Sequence, residues 1–161
     1  MNYHPVTKKI TDLLTVNKVW FQTFEHAAVR TSEEAAALRP EFSLHQGAKA
    51  LIIKAKFGAE RKFMMLVLPA DLKFDPKKAK AVLNAKDVGF ATEAEVAEVT
   101  DGIQIGGVPP FGQLFGLPIV VDSSLFGNEK IIFNAGDRSF SVAMFSEDYK
   151  KIVQSQIAEI V

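Results

Sequence analysis

Residues Gly106-Gly107-Val108-Pro109-Pro110-Phe111-Gly112 constrain this chain more than any other stretch. Glycine admits positive φ and lets a second molecule approach the backbone. Proline fixes φ, lacks an N–H and stiffens the adjoining backbone. The chain must pass here as a rigid loop, with its remaining N–H groups directed outward. Such a loop can hold an anion or polarise a carbonyl without using a side chain.

Backbone chemistry matters because the side chains offer little else. The 161 residues include no cysteine, which excludes thiol catalysis, disulfides and thiolate metal sites. His4, His26 and His45 are too scattered to suggest a metal centre, and neither H-x-x-x-H nor H-E-x-x-H occurs. No cofactor is called for. Gly-x-Ser-x-Gly, the dinucleotide fingerprint and the P-loop spacing are all missing. Ser123, Ser124, Ser139 and Ser141 have no histidine–carboxylate pair near them in sequence.

With 48% hydrophobic residues, the length suits one globular domain, expected to span residues 1–161. No apolar run approaches a membrane span, and the N-terminus lacks a signal-peptide pattern, so a cytoplasmic protein without a membrane partner is expected. The 19 basic and 19 acidic residues cancel, unlike a dedicated duplex-DNA binder. Basic clusters at Lys54 and Lys56, Arg61 and Lys62, Lys77 to Lys80 and Lys150-Lys151 read as solvated faces that allow weak phosphate contact.

Apolar spacing predicts a helix over 6–18 and a strand over 19–24. Thr31-Ser32-Glu33-Glu34 is a capping box opening a helix that Pro40 bounds. Residues 48–56 and 62–68 read as hairpin strands joined by 57–60. Asp75-Pro76 starts a helix to about Leu83, and Thr92-Glu93-Ala94-Glu95 caps another reaching Val99, with a short strand at 88–90 between them. Further strands are expected at 119–121, 129–133 and 140–145. Ser146-Glu147-Asp148 begins a helix expected to run to the C-terminus. The mixture lacks regular βαβ alternation, so the class is α+β with a mainly antiparallel or mixed sheet.

Lys49 stands at the start of its strand, on the face that also carries Leu51, Ile53 and Ala55. It is either a strand-end lysine snorkelling to water or a cation at a pocket mouth, suited to phosphate or carboxylate. His26, after a strand, either lines a cleft or is structural. Asn134-Ala135-Gly136-Asp137-Arg138 reads as a hairpin turn, compatible with Asn134 and Asp137 facing the same cleft as the 106–112 loop.

The ordered set resembles the YbaK/EbsC family, the prolyl-tRNA synthetase editing-domain superfamily. The matching parts are the His26 to Ala36 segment, Gly47-Ala48-Lys49-Ala50-Leu51-Ile52-Ile53, the Gly106 to Gly112 loop and Ile131 to Arg138. Together they span roughly residues 20–150. The resemblance implies a mixed, strongly curved, barrel-like sheet flanked by helices. It also implies hydrolysis of mischarged aminoacyl-tRNA at the 3′ terminal adenosine. The family's essential lysine maps to Lys49, and its loop glycine and proline map to Gly106 and Pro110. Lys49 and Gly106 are thus the expected catalytic pair. Gly107, Val108, Pro109, Pro110, His26, Asn134, Gly136 and Asp137 are the expected substrate-binding set. The implied partner is the acceptor end of aminoacyl-tRNA, aided by a synthetase or an elongation factor. Some members carry serine and aspartate where Asn134 and Ser141 stand here. A non-catalytic module of the same fold, binding a tRNA end or an aminoacyl-nucleotide, is the alternative.

Overall fold

The computed structural model describes residues 2–28 and 31–161. Val29 and Arg30, inside the His26 to Ala36 segment, lie outside the described residues. Helix α1 (Pro5–Val16) opens with proline at its first position, and the Nδ1 of His4 accepts the Val6 N–H. Its Val6, Ile10 and Leu14 are buried. Strand β1 (Phe21–Glu25) comes next, then α2 (Ser32–Leu38), whose N-cap Thr31 accepts the Glu34 N–H at 3.1 Å. A 3-10 turn at Leu44–Gln46 leads into β2 (Ala48–Phe57), β3 (Glu60–Pro69) and α3 (Pro76–Leu83). After these stand β4 (Asp87–Phe90) and α4 (Glu93–Thr100). A reciprocal Thr92–Glu95 capping box starts α4.

Beyond the glycine–proline loop lie β5 (Ile119–Asp122), β6 (Lys130–Asp137), β7 (Phe140–Phe145), α5 (Ser146–Ile152) and β8 (Gln156–Ala158). The strands form two open sheets rather than one closed barrel. One has the order β1-β7-β6 and the other β4-β2-β3-β5-β8. The first is antiparallel throughout. The second is mixed, because β3–β5 and β5–β8 run parallel. A bridge between Gly47 and Ile132 joins the sheets where β2 begins.

Met65, Leu66, Val67 and Leu68 of β3 are all fully buried, as expected of a strand covered on both faces. Ile52 and Ile53 of β2 are buried on opposite faces as well. Alternation therefore does not single out an apolar face for Lys49, which ends up half-buried at the strand's start. No helix among the described residues is long and apolar enough to cross a membrane.

Two boundaries differ from the sequence reading. The last helix ends at Ile152, and the tail returns as β8 beside β5. The buried carboxylate of Asp122 captures that tail, accepting the Ile160 N–H at 2.8 Å. Strand β6 runs on to Asp137 through a bulge between Asn134 and Asp137, where a bare turn was expected. The reversal itself falls at Arg138-Ser139, closed by Asp137 Oδ1 accepting the Ser139 N–H and Oγ–H at 2.9 and 2.6 Å.

Candidate functional site

A cavity of about 220 Å³ opens between the two sheets at the start of β2. Thr31, Ala36 and Arg39 come to it from α2 and its two ends, and Lys49 and Leu51 from β2. The glycine–proline loop supplies Ile105, Gly106 and Val108, and β6 supplies Ile132, Phe133 and Asn134. Of the expected set, the fold brings Lys49, Gly106, Val108 and Asn134 together in this wall.

The others stand behind it. Pro109 and Pro110 are buried, and the Pro110 carbonyl accepts the hydroxyl of fully buried Tyr149 at 2.6 Å. Burial pushes the Tyr149 phenol well above its ordinary pKa, so it remains a donor. The N–H of Gly107 turns to the Gln104 carbonyl at 2.9 Å. Gly136 packs under α1, His26 reaches Ser141, and Asp137 closes its own turn.

The start of the loop owes its shape to hydrogen bonds at two successive peptides. The Gly106 carbonyl accepts the Asn134 side-chain amide at 2.7 Å, while the N–H of the same peptide is held by Gln104. Gly106 sits at φ +93°, open to glycine and strained for other residues. The Gly107 carbonyl accepts the Gly136 N–H at 2.8 Å. In a trans peptide the N–H points opposite to the carbonyl, so the Val108 N–H is aimed away from Gly136. Neither the Val108 N–H nor the Gly106 N–H has a partner among the described residues. The rigid loop thus leaves two backbone donors unspent at the cavity wall.

The bulge in β6 re-aims Asn134 toward that loop. Behind Asn134 sits Ser141, fully buried on β7. The Ser141 hydroxyl lies 3.0 Å from Asn134 Oδ1, 2.9 Å from Arg39 Nη1 and 2.7 Å from His26 Nε2. Since Asn134 Nδ2 faces a carbonyl, its Oδ1 must take the single Ser141 proton. Arg39 donates to the serine oxygen, and His26 Nε2 faces it from the other side of a ring whose Nδ1 donates to the Ala27 carbonyl at 2.8 Å. The apposition of His26 and Ser141 differs from a catalytic nucleophile–base pair, because the serine is fully buried and hydrogen-bonded to Asn134 and Arg39.

Arg39 escaped the sequence reading. It lies between an amphipathic helix and Pro40, a place that carries no mark of burial, yet it is 6% exposed and lines the cavity. Burial lowers its pKa to about 10, with Glu41 opposing. Burial also lowers the pKa of Lys49, opposed by Glu33 and Asp71 and reinforced by Lys73. No hydrogen bond or ion pair among the described residues engages the Lys49 ammonium. Asp71 is held by His45 Nδ1 at 2.8 Å instead. Among the described residues no group of three His, Asp or Glu side chains forms a metal site.

The site thus presents a half-buried cation and two unspent N–H groups around a mainly apolar cavity. The model of the aminoacyl-tRNA editing domain matches residues 26–152. The multifunctional Ser/Thr-tRNA deacylase ProXp-y of Escherichia coli (strain K12) is 32% identical over 151 residues, covering 93% of this chain and 89% of the relative. The prolyl-tRNA editing protein ProX of Acetoanaerobium sticklandii is 27% identical over 142 residues, covering 86% and 84%. Among solved structures, one described as a candidate trans-editing enzyme for prolyl tRNA synthetase has a TM-score of 0.79 at 21% identity. It covers 99% of this chain and 98% of its own.

Proposed function

This chain belongs to the aminoacyl-tRNA editing domain family, and on that premise we propose that it is a trans-editing deacylase acting on mischarged aminoacyl-tRNA. The reaction adds water to the ester carbonyl at the 3′ terminal adenosine. The bond from that carbonyl carbon to the ribose oxygen breaks, the ribose oxygen takes a proton, and the free amino acid leaves. The observation that carries the reading is the pair of unspent N–H groups at Gly106 and Val108 beside the Lys49 cation.

An aminoacyl ester is already activated, so hydrolysis asks for a placed water and oxyanion donors more than for a strong nucleophile. Each such donor contributes about 3–4 kcal/mol of transition-state stabilisation. Gly106 and Val108 act in that role. Lys49 holds the phosphate or ribose of the terminal adenosine, orienting the ester toward the loop. The substrate's own ribose hydroxyl helps activate the water. Asn134 acts through the Gly106 carbonyl and is a positioning residue. Gly107, Gly136, Pro109 and Pro110 shape the loop, while His26 and Asp137 support Ser141 and the turn. The whole chain works as one editing domain in the cytoplasm, with a synthetase or an elongation factor delivering the tRNA.

A deacylation screen over a panel of mischarged tRNAs tests this. Seryl- and threonyl-tRNA come first, since the Escherichia coli relative is named for them. Hydrolysis above the spontaneous rate, crippled by Gly106→Ala, is expected. Tight binding of the acceptor end without hydrolysis across the panel would instead establish a non-catalytic module.

A further inference from the structure

The cavity is not closed at the loop. Ile105 lines it and also lines a neighbouring groove of about 560 Å³, bounded by Glu93, Ala97, Gly102, Gln104 and Arg138. Arg138 Nε donates to the Ile105 carbonyl at 2.7 Å, which fixes the guanidinium at the groove's edge. Its two terminal nitrogens have no partner among the described residues. The N–H groups of Gln104 and Ile105 are likewise unpartnered there. Successive free N–H groups beside a guanidinium form an anion-binding concavity. Glu93 is the groove's carboxylate, and it sets a limit to where an anion can lie.

We propose that this groove binds the phosphodiester backbone of the single-stranded RNA leading to the terminal nucleoside, with Arg138 as a phosphate ligand. The proposal rests on the deacylase reading for its choice of ligand. A nucleoside seated in the cavity is covalently attached to the strand before it, which must leave across the rim. The rim at Ile105 combines a pinned guanidinium, unspent N–H groups and an apolar side chain that is 42% exposed. Single-stranded RNA is recognised by that combination of cation and stacking surface. A chain with zero net charge needs such a local site, since its overall field does not attract RNA.

The test uses an uncharged hairpin RNA with a single-stranded 3′ tail, and the same hairpin without the tail, titrated by fluorescence anisotropy over a salt series. Here uncharged means carrying no amino acid. Arg138→Gln should weaken binding of the tailed hairpin about tenfold and reduce the slope of log K against log salt by about 0.7. The tail-less hairpin should bind wild type and variant alike. Arg138→Lys, which keeps the charge but loses the fork, should retain the salt slope. Equal losses with and without the tail would overturn the proposal, as would no loss at all. An Arg138→Lys variant as weak as Arg138→Gln would do the same, since loop displacement would then be the cause. Because the RNA carries no ester, the outcome does not depend on hydrolysis. A failed deacylation screen alongside tail-dependent binding would overturn the function and leave the groove standing.

Discussion

Asn134 Nδ2 donates a 2.7 Å hydrogen bond to the carbonyl of Gly106, 28 residues earlier in the chain. With the Gly107 N–H held by Gln104, this fixes both ends of one peptide unit. That peptide in turn sets the orientation of the neighbouring free donors. Asn134→Ala should lower kcat for deacylation about tenfold, the equivalent of about 1.4 kcal/mol, with little change in KM. Asn134→Asp should be worse, because it sets a carboxylate against the carbonyl. Steady-state kinetics on a mischarged tRNA would check both, and a KM effect alone would assign Asn134 to substrate binding.

Ser141 connects three partners, so its loss should appear first as instability. Ser141→Ala leaves Arg39, His26 and Asn134 Oδ1 each short of a partner. The expected cost is about 2–3 kcal/mol in urea unfolding. Arg39→Met introduced into Ser141→Ala should then add less than it costs by itself. Strict additivity would show that Arg39 acts elsewhere.

Lys49→Met separates function from stability. Deacylation should fall about 100-fold as the ester loses its orientation, while the urea midpoint at neutral pH should hold or rise. Burial depresses the folded pKa of Lys49 below 10.5. Between the folded value and 10.5 the unfolded chain binds more protons, so stability rises with pH across that window. The stability gap between wild type and Lys49→Met should therefore narrow as the medium becomes alkaline. Urea titrations at several pH values would reveal it, and a pH-independent gap would contradict a half-buried ammonium.

Gly136 sits at φ +97°, and an added Cβ would lie 2.5 Å from Val6 Cγ1 and 2.9 Å from Thr7 Oγ1. Both neighbours belong to α1, whose Thr7 hydroxyl also donates to the Ala135 carbonyl at 2.5 Å. Gly136→Ala should cost about 3 kcal/mol through overpacking and backbone strain. It should also loosen the 106–112 loop by shifting the N–H that holds the Gly107 carbonyl. A thermal melt matching wild type would show that α1 yields easily.

Much of the fold was legible because its signals are local. The Thr92–Glu95 box, the Asp75-Pro76 start and the 48–69 hairpin are set by residues a few positions apart, and each formed as its chemistry requires. The C-terminal strand was not legible, because Gln156–Ala158 becomes β8 only when β5 offers an edge and Asp122 an acceptor. Nor was the division into two sheets, which depends on which strands find each other.

The same boundary runs through the site. By itself the sequence determined that residues 106–112 form a stiff loop, since glycine and proline restrict their own backbone. It also put a lysine where β2 begins. Tertiary structure alone decided which donors of that loop stay free. Gln104, Asn134 and Gly136 engage the Gly107 N–H and the Gly106 and Gly107 carbonyls, leaving the N–H groups of Gly106 and Val108 at the cavity wall. It likewise drew Arg39 inward to Ser141, a contact across 102 residues. Hydrogen-bond saturation is a property of the assembled neighbours, and no local pattern in the chain encodes it.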